Sequence, residues 1–580
     1  MSCYHGRLNA TPGRRKRDPV PHHAKDSIMP DSESVSRDRA ILAEAQARGP
    51  AATLAAFVRL SGPGWLQSAI TLGGGSLAGS LYLGVIGGYE FLWLQPLMMI
   101  LGVVMLSAIA YVTLSTGEKP FGAIRRHVNP VLAWGWLAAA GLANLVWAMP
   151  QFSLGTAAIQ QNLLPDVPLL AGRQGEWICA ASLLVAAAVV VWFYDSGSRG
   201  VKIFEWILKA MVGVVVLSFF GVVAAMAVKG SLDWGRIAAG FVPNFSLLWQ
   251  PVADLEGFIA DSGNPGYWTG EIVTTQRARM IAAAATAVGI NMTFLLPYSM
   301  LRKGWDRTFR GLATFDLATG LFIPFVLATS CVVIAAASQF HGRYDTAEVS
   351  RPVAEGSKGY QANLKARLAV EIGPEAVKEL SAEQFAAAVA ALPETDRQLA
   401  SMLVKRDAFD LARALENLSG EGGITQKIFG IGVLGMAVST IIILMLINGF
   451  CVTEMLGVAS GGWAHRLGAM LPGITGSLGF LYLWGNSDVK FWLAVPTSNF
   501  GMVLLPIAYV TFFLMMNSRS LLGDAMPTGT SRILINLAML AAITAASVGA
   551  GMSLWDNTGL VGVAAAAGFM LLAAVMGRRA

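Results

Sequence analysis

The hydrophobic positions of this chain gather into long unbroken runs instead of alternating with polar ones. Twelve runs of about 20 residues lie near 64–86, 91–114, 131–151, 175–194, 204–228, 279–300, 310–338, 426–457, 468–485, 491–516, 530–549 and 557–576. A helix of that length crosses roughly 30 Å of hydrocarbon. A soluble helix keeps one apolar stripe, whereas these runs are apolar on every side. The pattern predicts an all-α polytopic membrane protein with about 12 transmembrane helices.

Basic residues alternate between the loops. Those after even-numbered runs carry Lys119, Arg125 and Arg126; Arg199 and Lys202; Arg302, Lys303, Arg307 and Arg310; Arg466; and Arg519. The opposite loops hold few, such as Arg173 and Lys490. Retention of positive loops on the cytoplasmic side puts both termini there, with Arg578 and Arg579 at the far end. Residues 1–57 are polar and contain the basic cluster Arg14 to Arg17, the composition of a disordered cytoplasmic tail. Met29 is a second candidate start. Residues 58–338 hold spans 1–7 and residues 426–580 hold spans 8–12. Between them, residues 339–425 are polar and helix-forming, with a capping-box pattern from Ser381 to Gln384. They are expected to form a helical insert outside the cytoplasm.

Composition fits this picture. Charged residues make up 13% of the chain and mean hydropathy is +0.56; a soluble domain carries roughly 25% charged residues. The net charge of +6 lies in the tail and short loops, not on one basic module, so no nucleic-acid partner is expected. Cys3, Cys179, Cys331 and Cys451 have no close spacing and suggest neither disulfides nor a zinc site. No nucleophile–base pair or phosphate loop marks an enzyme, and no cofactor is implied. The expected location is a bacterial inner (plasma) membrane, with the lipid bilayer as surroundings.

Two runs are interrupted. Gly73, Gly74, Gly75 and Ser76 sit halfway along the first; Gly289, Asn291, Met292 and Thr293 interrupt the sixth. Glycines inside a helix cost roughly 1 kcal/mol each relative to alanine. In a membrane, freed backbone groups are tolerated only beside protein or a water-filled cavity. Discontinuous helices at positions 1 and 6 point to LeuT-like inverted five-helix repeats, with a solute site at the midplane between the breaks.

The run Gly62-Pro63-Gly64-Trp65-Leu66-Gln67-Ser68 resembles the start of the first span in the Nramp (natural resistance-associated macrophage protein) family of proton-coupled divalent-metal transporters. Asp233-Trp234-Gly235 with Gly240-Phe-Val-Pro243, Phe315-Asp316-Leu317-Ala318 with Gly320-Leu-Phe322, and Leu505-Pro506-Ile507-Ala508 resemble later segments of that family in the same order. The similarity covers most of residues 60–520 outside the insert. It implies a divalent-metal transporter, but a divergent one. Where the family has Asp-Pro-Gly-Asn, this chain has Gly73 to Ser76. Where it has Ala-x-x-Met-Pro-His, this chain has Gly289, then Met292, Thr293 and Phe294. The acids of the third span are missing, and the metal-approaching glutamine of the tenth falls near Thr497, Ser498 and Asn499.

By resemblance, Ser76, Asn291 and Met292 become the candidate metal ligands, and Ser498 and Asn499 join the site. None carries formal charge, and removing an ion from water costs several kcal/mol. Three readings stay open: transport of a divalent cation, partly hydrated like magnesium and without the family's proton route; transport of a small anion or zwitterion at the Gly-rich break; or a non-transporting membrane protein whose insert binds partners. Four acids lie in or beside the runs. Glu205 reads as a surface pair with Lys202 and Lys209, Glu90 as an interfacial group and Asp316 as structural, while Glu454 has no assigned role.

Overall fold

The computed structural model describes residues 32–194, 198–406, 410–411, 414, 424–483 and 494–577. Residues 1–31 with the Arg14–Arg17 cluster, the end of the insert, Lys490, Arg578 and Arg579 lie outside the described residues. Among those described, nine helices are long and apolar enough to cross a membrane. A tenth span is a pair, span 1a (Pro63–Thr71) and span 1b, bent by 56° at the break. Gly462–Leu483 adds another of 22 residues. The last helix, Gly529–Gly577, is divided by Gly559 with φ 59°, left-handed backbone that favours glycine. There the chain turns back: Ser553 lies 3.5 Å from the Asn499 carbonyl, while Ala573 accepts from Asn129 at the other end of the bundle. Among the described residues this makes twelve spans of an integral membrane protein, with spans 1–5 and 6–10 as two inverted repeats.

The sixth span begins earlier than its apolar run. Span 6a is Pro265–Ala285 and span 6b is Ile290–Arg302, so the expected start near 279 is corrected by about four turns. Span 6a carries Glu271, Arg277 and Arg279, which conceal it from a hydropathy reading. The bundle encloses its second half, where residues 280–285 are buried, and Arg279 lies over the Tyr82 ring at 5.0 Å, while Glu271 stays exposed. Charge is forbidden against lipid, not against protein.

A second correction concerns residues 32–57. They form two helices, α1 (Ser32–Arg48) and α2, which runs to Leu60 from Pro50, where a disordered tail was expected. Leu42 is buried, Arg39 pairs with Asp306 at 2.7 Å, and Phe57 packs on Phe315 with ring centroids 5.3 Å apart. Composition alone did not reveal that the bundle supplies the missing apolar partner. The face holding α1 and α2 is called the N-terminal face below.

The opposite face carries the insert. Its main helices are Lys358–Ile372, Ala382–Ala391 and Glu394–Met402. Ser381 Oγ and Gln384 Oε1 accept each other's backbone N–H, at 3.2 and 2.9 Å. Asp396 anchors the insert to the start of span 6. It accepts from Gly263 N at 2.6 Å, Trp268 Nε1 at 2.9 Å and Arg367 Nε at 2.6 Å.

Candidate functional site

The two breaks meet. Span 1a ends at Thr71, and Leu72 and Gly73 are non-helical before span 1b (Gly74–Gly87) resumes. Span 6 opens between Ala285 and Ile290, with Gly289 extended at φ −88°, ψ 161°. The glycines let neighbouring helices reach the break. A Cβ on Gly73 would lie 2.4 Å from Thr440 Oγ1 of span 8 (Ile424–Leu456); one on Gly74 would lie 3.0 Å from Gln151 Oε1 of span 3 (Pro130–Ala157); and one on Gly75 would lie 3.1 Å from Ser498 Oγ of span 10 (Ala494–Met516).

A cavity of about 60 Å³ lies there, room for about four waters. Seven of the ten residues singled out in the sequence line it: Gly73, Gly75, Ser76, Gly289, Asn291, Met292 and Ser498. Three do not. The Gly74 N–H is taken by Gln151 Oε1 at 2.8 Å. The Thr293 hydroxyl accepts from Trp136 Nε1 at 2.9 Å and donates to the Ile290 carbonyl. The Asn499 carbonyl faces Ser553.

Sequence reasoning missed Thr71, Trp147, Gln151, Thr286 and Thr440, all lining residues, as is Thr497 of the tenth-span segment named above. A signal existed in span 3: Asn144, Trp147 and Gln151 are spaced three and four apart, one polar face on an apolar helix. The lone threonines carried no such signal.

Proton placement defines the chemistry. Thr71 Oγ1 donates to Met292 Sδ at 3.0 Å, Thr286 Oγ1 to the Ala283 carbonyl at 2.7 Å, and Thr440 Oγ1 points at the Ala69 carbonyl at a long 3.5 Å. Each hydroxyl has one proton and two lone pairs, so these three leave lone pairs for the cavity. Asn291 Nδ2 points to Asn144 Oδ1 at 3.4 Å, leaving the Asn291 oxygen as a further acceptor. Ser76 Oγ accepts from Gly73 N at 3.1 Å and lies 2.6 Å from the Thr71 carbonyl, so it closes the break's own backbone. Gln151 is the exception. With Oε1 held by Gly74, its Nε2 donor has no acceptor among the described residues and borders the cavity.

Among the described residues, none that lines the cavity is a carboxylate. Among the described residues, no three His, Cys, Asp or Glu side chains cluster to hold a metal. Phe294 packs between Trp136 at 4.5 Å and Tyr298 at 4.7 Å, and Tyr298 stacks on Phe450 at 5.5 Å. This aromatic column has no titratable imidazole at position 294. The four acids lie elsewhere. Glu454 pairs with Lys119 at 3.0 Å, and Glu90 sits in the turn Gly88–Phe91. Glu205 pairs with Lys303 at 3.0 Å, not with its helix neighbours, because Lys209 is drawn to the Ser61 carbonyl. Asp316 holds the start of span 1a.

The backbone is similar to that of a crystallised manganese transporter of Eremococcus coleocola: TM-score 0.59 at 13% identity, covering 90% of this chain and 94% of the other. In sequence, the chain is 24% identical over 188 residues to the manganese transporter pdt1 of Schizosaccharomyces pombe, covering 32% of this chain and 34% of the relative. It is 26% identical over 159 residues to the metal transporter Nramp2 of Populus trichocarpa, covering 27% and 28%. The matched stretch thus spans about a third of the length of these curated relatives. The sequence profile of the natural resistance-associated macrophage protein-like family matches residues 64–354 and 385–553. With most of the chain inside that match and both broken spans in place, the protein belongs to the Nramp family.

Proposed function

We propose that this chain is a secondary membrane transporter that carries a divalent metal cation through the cavity between the two breaks, with part of the ion's water shell retained. Family membership and the metal-transporter relatives support the cargo class. One observation carries the hydrated form: the Thr71 and Thr286 hydroxyl protons are committed elsewhere, so lone pairs border the cavity. Metal-bound water presents hydrogens outward and needs such acceptors. Magnesium in particular sheds water reluctantly and is held by few direct ligands. With no carboxylate lining the cavity among the described residues and Phe294 in place of a histidine, proton coupling by the family's usual groups is not part of this reading. The N-terminal face, bearing Arg302, Lys303, Arg307 and Arg310, is assigned to the cytoplasm of a bacterial cell.

A small anion is the second reading, and the Gln151 Nε2 donor favours it. Against it, the Gly73 and Gly74 N–H groups that would hold an anion are already satisfied by Ser76 and Gln151. The test is flux into proteoliposomes, with divalent ions and small carboxylates run side by side. Chelator-sensitive ion flux that falls on Asn291→Leu is expected. Absence of both flux and binding heat across a panel of divalent ions would sink the metal reading; chelator-insensitive carboxylate uptake would transfer the assignment to the second.

A further inference from the structure

Span 1a begins inside a ring of charge. Its first residues lie against Asp316 of span 7, whose side chain is buried. Oδ1 accepts the Ser61 hydroxyl at 2.6 Å; Oδ2 accepts the Gly62 and Gly64 N–H groups at 3.2 and 2.7 Å. Lys209 of span 5 donates to the Ser61 carbonyl at 2.8 Å. Lys303, just after span 6b, pairs with Glu205 of span 5, and a side chain on Gly62 would strike its ammonium. Asp38 of α1 also faces Lys303. A Cβ on Gly64 would collide with the Asp316 carbonyl, so the helix tip is seated directly on span 7. Asp316 and Glu205 thus balance Lys209 and Lys303 around one helix end.

All three groups on the Asp316 oxygens are donors. A carboxylate accepts them all with its full charge; a carboxylic acid carries a proton of its own, so the Ser61 bond must reverse or break and the Gly62 and Gly64 bonds lose their charge assistance. Protonation also removes the negative charge seated against the Lys209-bound end of the half-helix. The other end of the same half-helix, Thr71, lines the cavity and is bonded to Met292. Release of the Ser61–Gly64 end therefore frees the wall between the cavity and the N-terminal face.

We propose that Asp316 is a proton-binding site that latches span 1a: charged, it holds the half-helix closed, and protonated, it lets go. Opening toward the N-terminal face then takes up one proton, by a route independent of the cavity itself. The coupling consequence rests on the transport reading above; the latch does not.

The experiment is hydrogen–deuterium exchange of the full chain in lipid nanodiscs from about pH 8 to about pH 5, corrected for intrinsic rates, reading the peptide that contains Gly62 and Gly64. Exchange is expected to rise about tenfold as the pH falls. Asp316→Asn, a neutral isostere, should exchange fast at every pH. Ser61→Ala removes one donor to the carboxylate and should move the rise upward by about one pH unit. Glu205→Gln removes a neighbouring anion and should move it downward. A flat wild-type profile, or a pH response that survives Asp316→Asn, overturns the proposal. If Asp316→Asn does not fold, an unmoved profile in Ser61→Ala overturns it. No substrate enters the measurement, so lost metal flux with an intact pH response would count against the transport reading alone.

Discussion

The Thr71 hydroxyl donates to the Met292 sulfur across 3.0 Å and joins the end of span 1a to the first turn of span 6b. The Gly289 N–H approaches the same sulfur at 3.4 Å. The thioether that family resemblance marks as a metal ligand is therefore occupied as an acceptor within the protein.

Thr71→Val removes that donor and leaves the sulfur exposed to the cavity. Cadmium, a soft ion, should then bind about tenfold more tightly, because thioethers select soft metals. Calorimetric titration of the purified protein checks this. Unchanged cadmium affinity would mean that the sulfur is out of reach of the cavity with or without Thr71.

Gln151→Glu should turn the cavity toward bare cations. The carboxylate can accept the Gly74 N–H as Gln151 Oε1 does now, at 2.8 Å, while placing formal charge at the span 3 wall. Divalent-ion affinity is expected to rise about tenfold or more, equivalent to about 1.4 kcal/mol, with the gain larger at neutral than at acid pH. Equal affinity in Gln151→Glu and the parent would show that the span 3 wall does not contact the ion.

Arg367 and Asp396 are both fully buried. Removing Arg367 leaves the Asp396 carboxylate buried without its cation, which costs about 3–5 kcal/mol, while removing Asp396 leaves Arg367 only Glu371, at 2.8 Å. Arg367→Met or Asp396→Asn should therefore loosen the insert from span 6, seen as faster proteolysis within 357–402 while the spans stay protected. Residues 355–384, which include Arg367, lie outside the family match, so this contact is a feature of the chain and not of the common scaffold. Unchanged proteolysis in both variants would mean that other contacts hold the insert.

At the insert face, His341 lies 3.2 Å from Asp254, and Arg236 also pairs with it. The His341 hydrogen bond, then the Arg236 one, hold the Asp254 carboxyl well below the usual carboxylate range. A carboxyl so depressed contributes stability above its unfolded value, near 3.9, and loses it only as pH falls through the lower folded value. The melting-temperature difference between the parent and Asp254→Asn should stay level from about pH 6 to about pH 4 and shrink below that. A difference already shrinking above about pH 5 would refute this assignment.

The spans and both breaks were legible because lipid imposes a local rule: every residue facing it must be apolar, and every freed backbone group needs shelter. Gly73 to Ser76 and Gly289 to Thr293 violate that rule where the chain lies, so they stand out in one dimension. Span 6a was not legible at its start because Glu271, Arg277 and Arg279 break its apolar pattern, and only the fold shows that Arg279 lies over the Tyr82 ring instead of facing lipid. The N-terminal helices were missed for a related reason: the partner of Phe57 is Phe315, more than two hundred residues away in the chain.

The sequence alone determined a membrane protein of about twelve spans with two broken helices, since these follow from residue types and their order. Only the tertiary structure decided which polar groups meet and where their protons go. Thr440, Gln151 and Ser498 reach the span 1 glycines from three other helices. Asp316 receives three donors from the start of span 1a. Met292 is an acceptor already in use. Hydrogen bonds act over about 3 Å, and which atoms come that close is set by helix packing, which the linear order of residues does not contain.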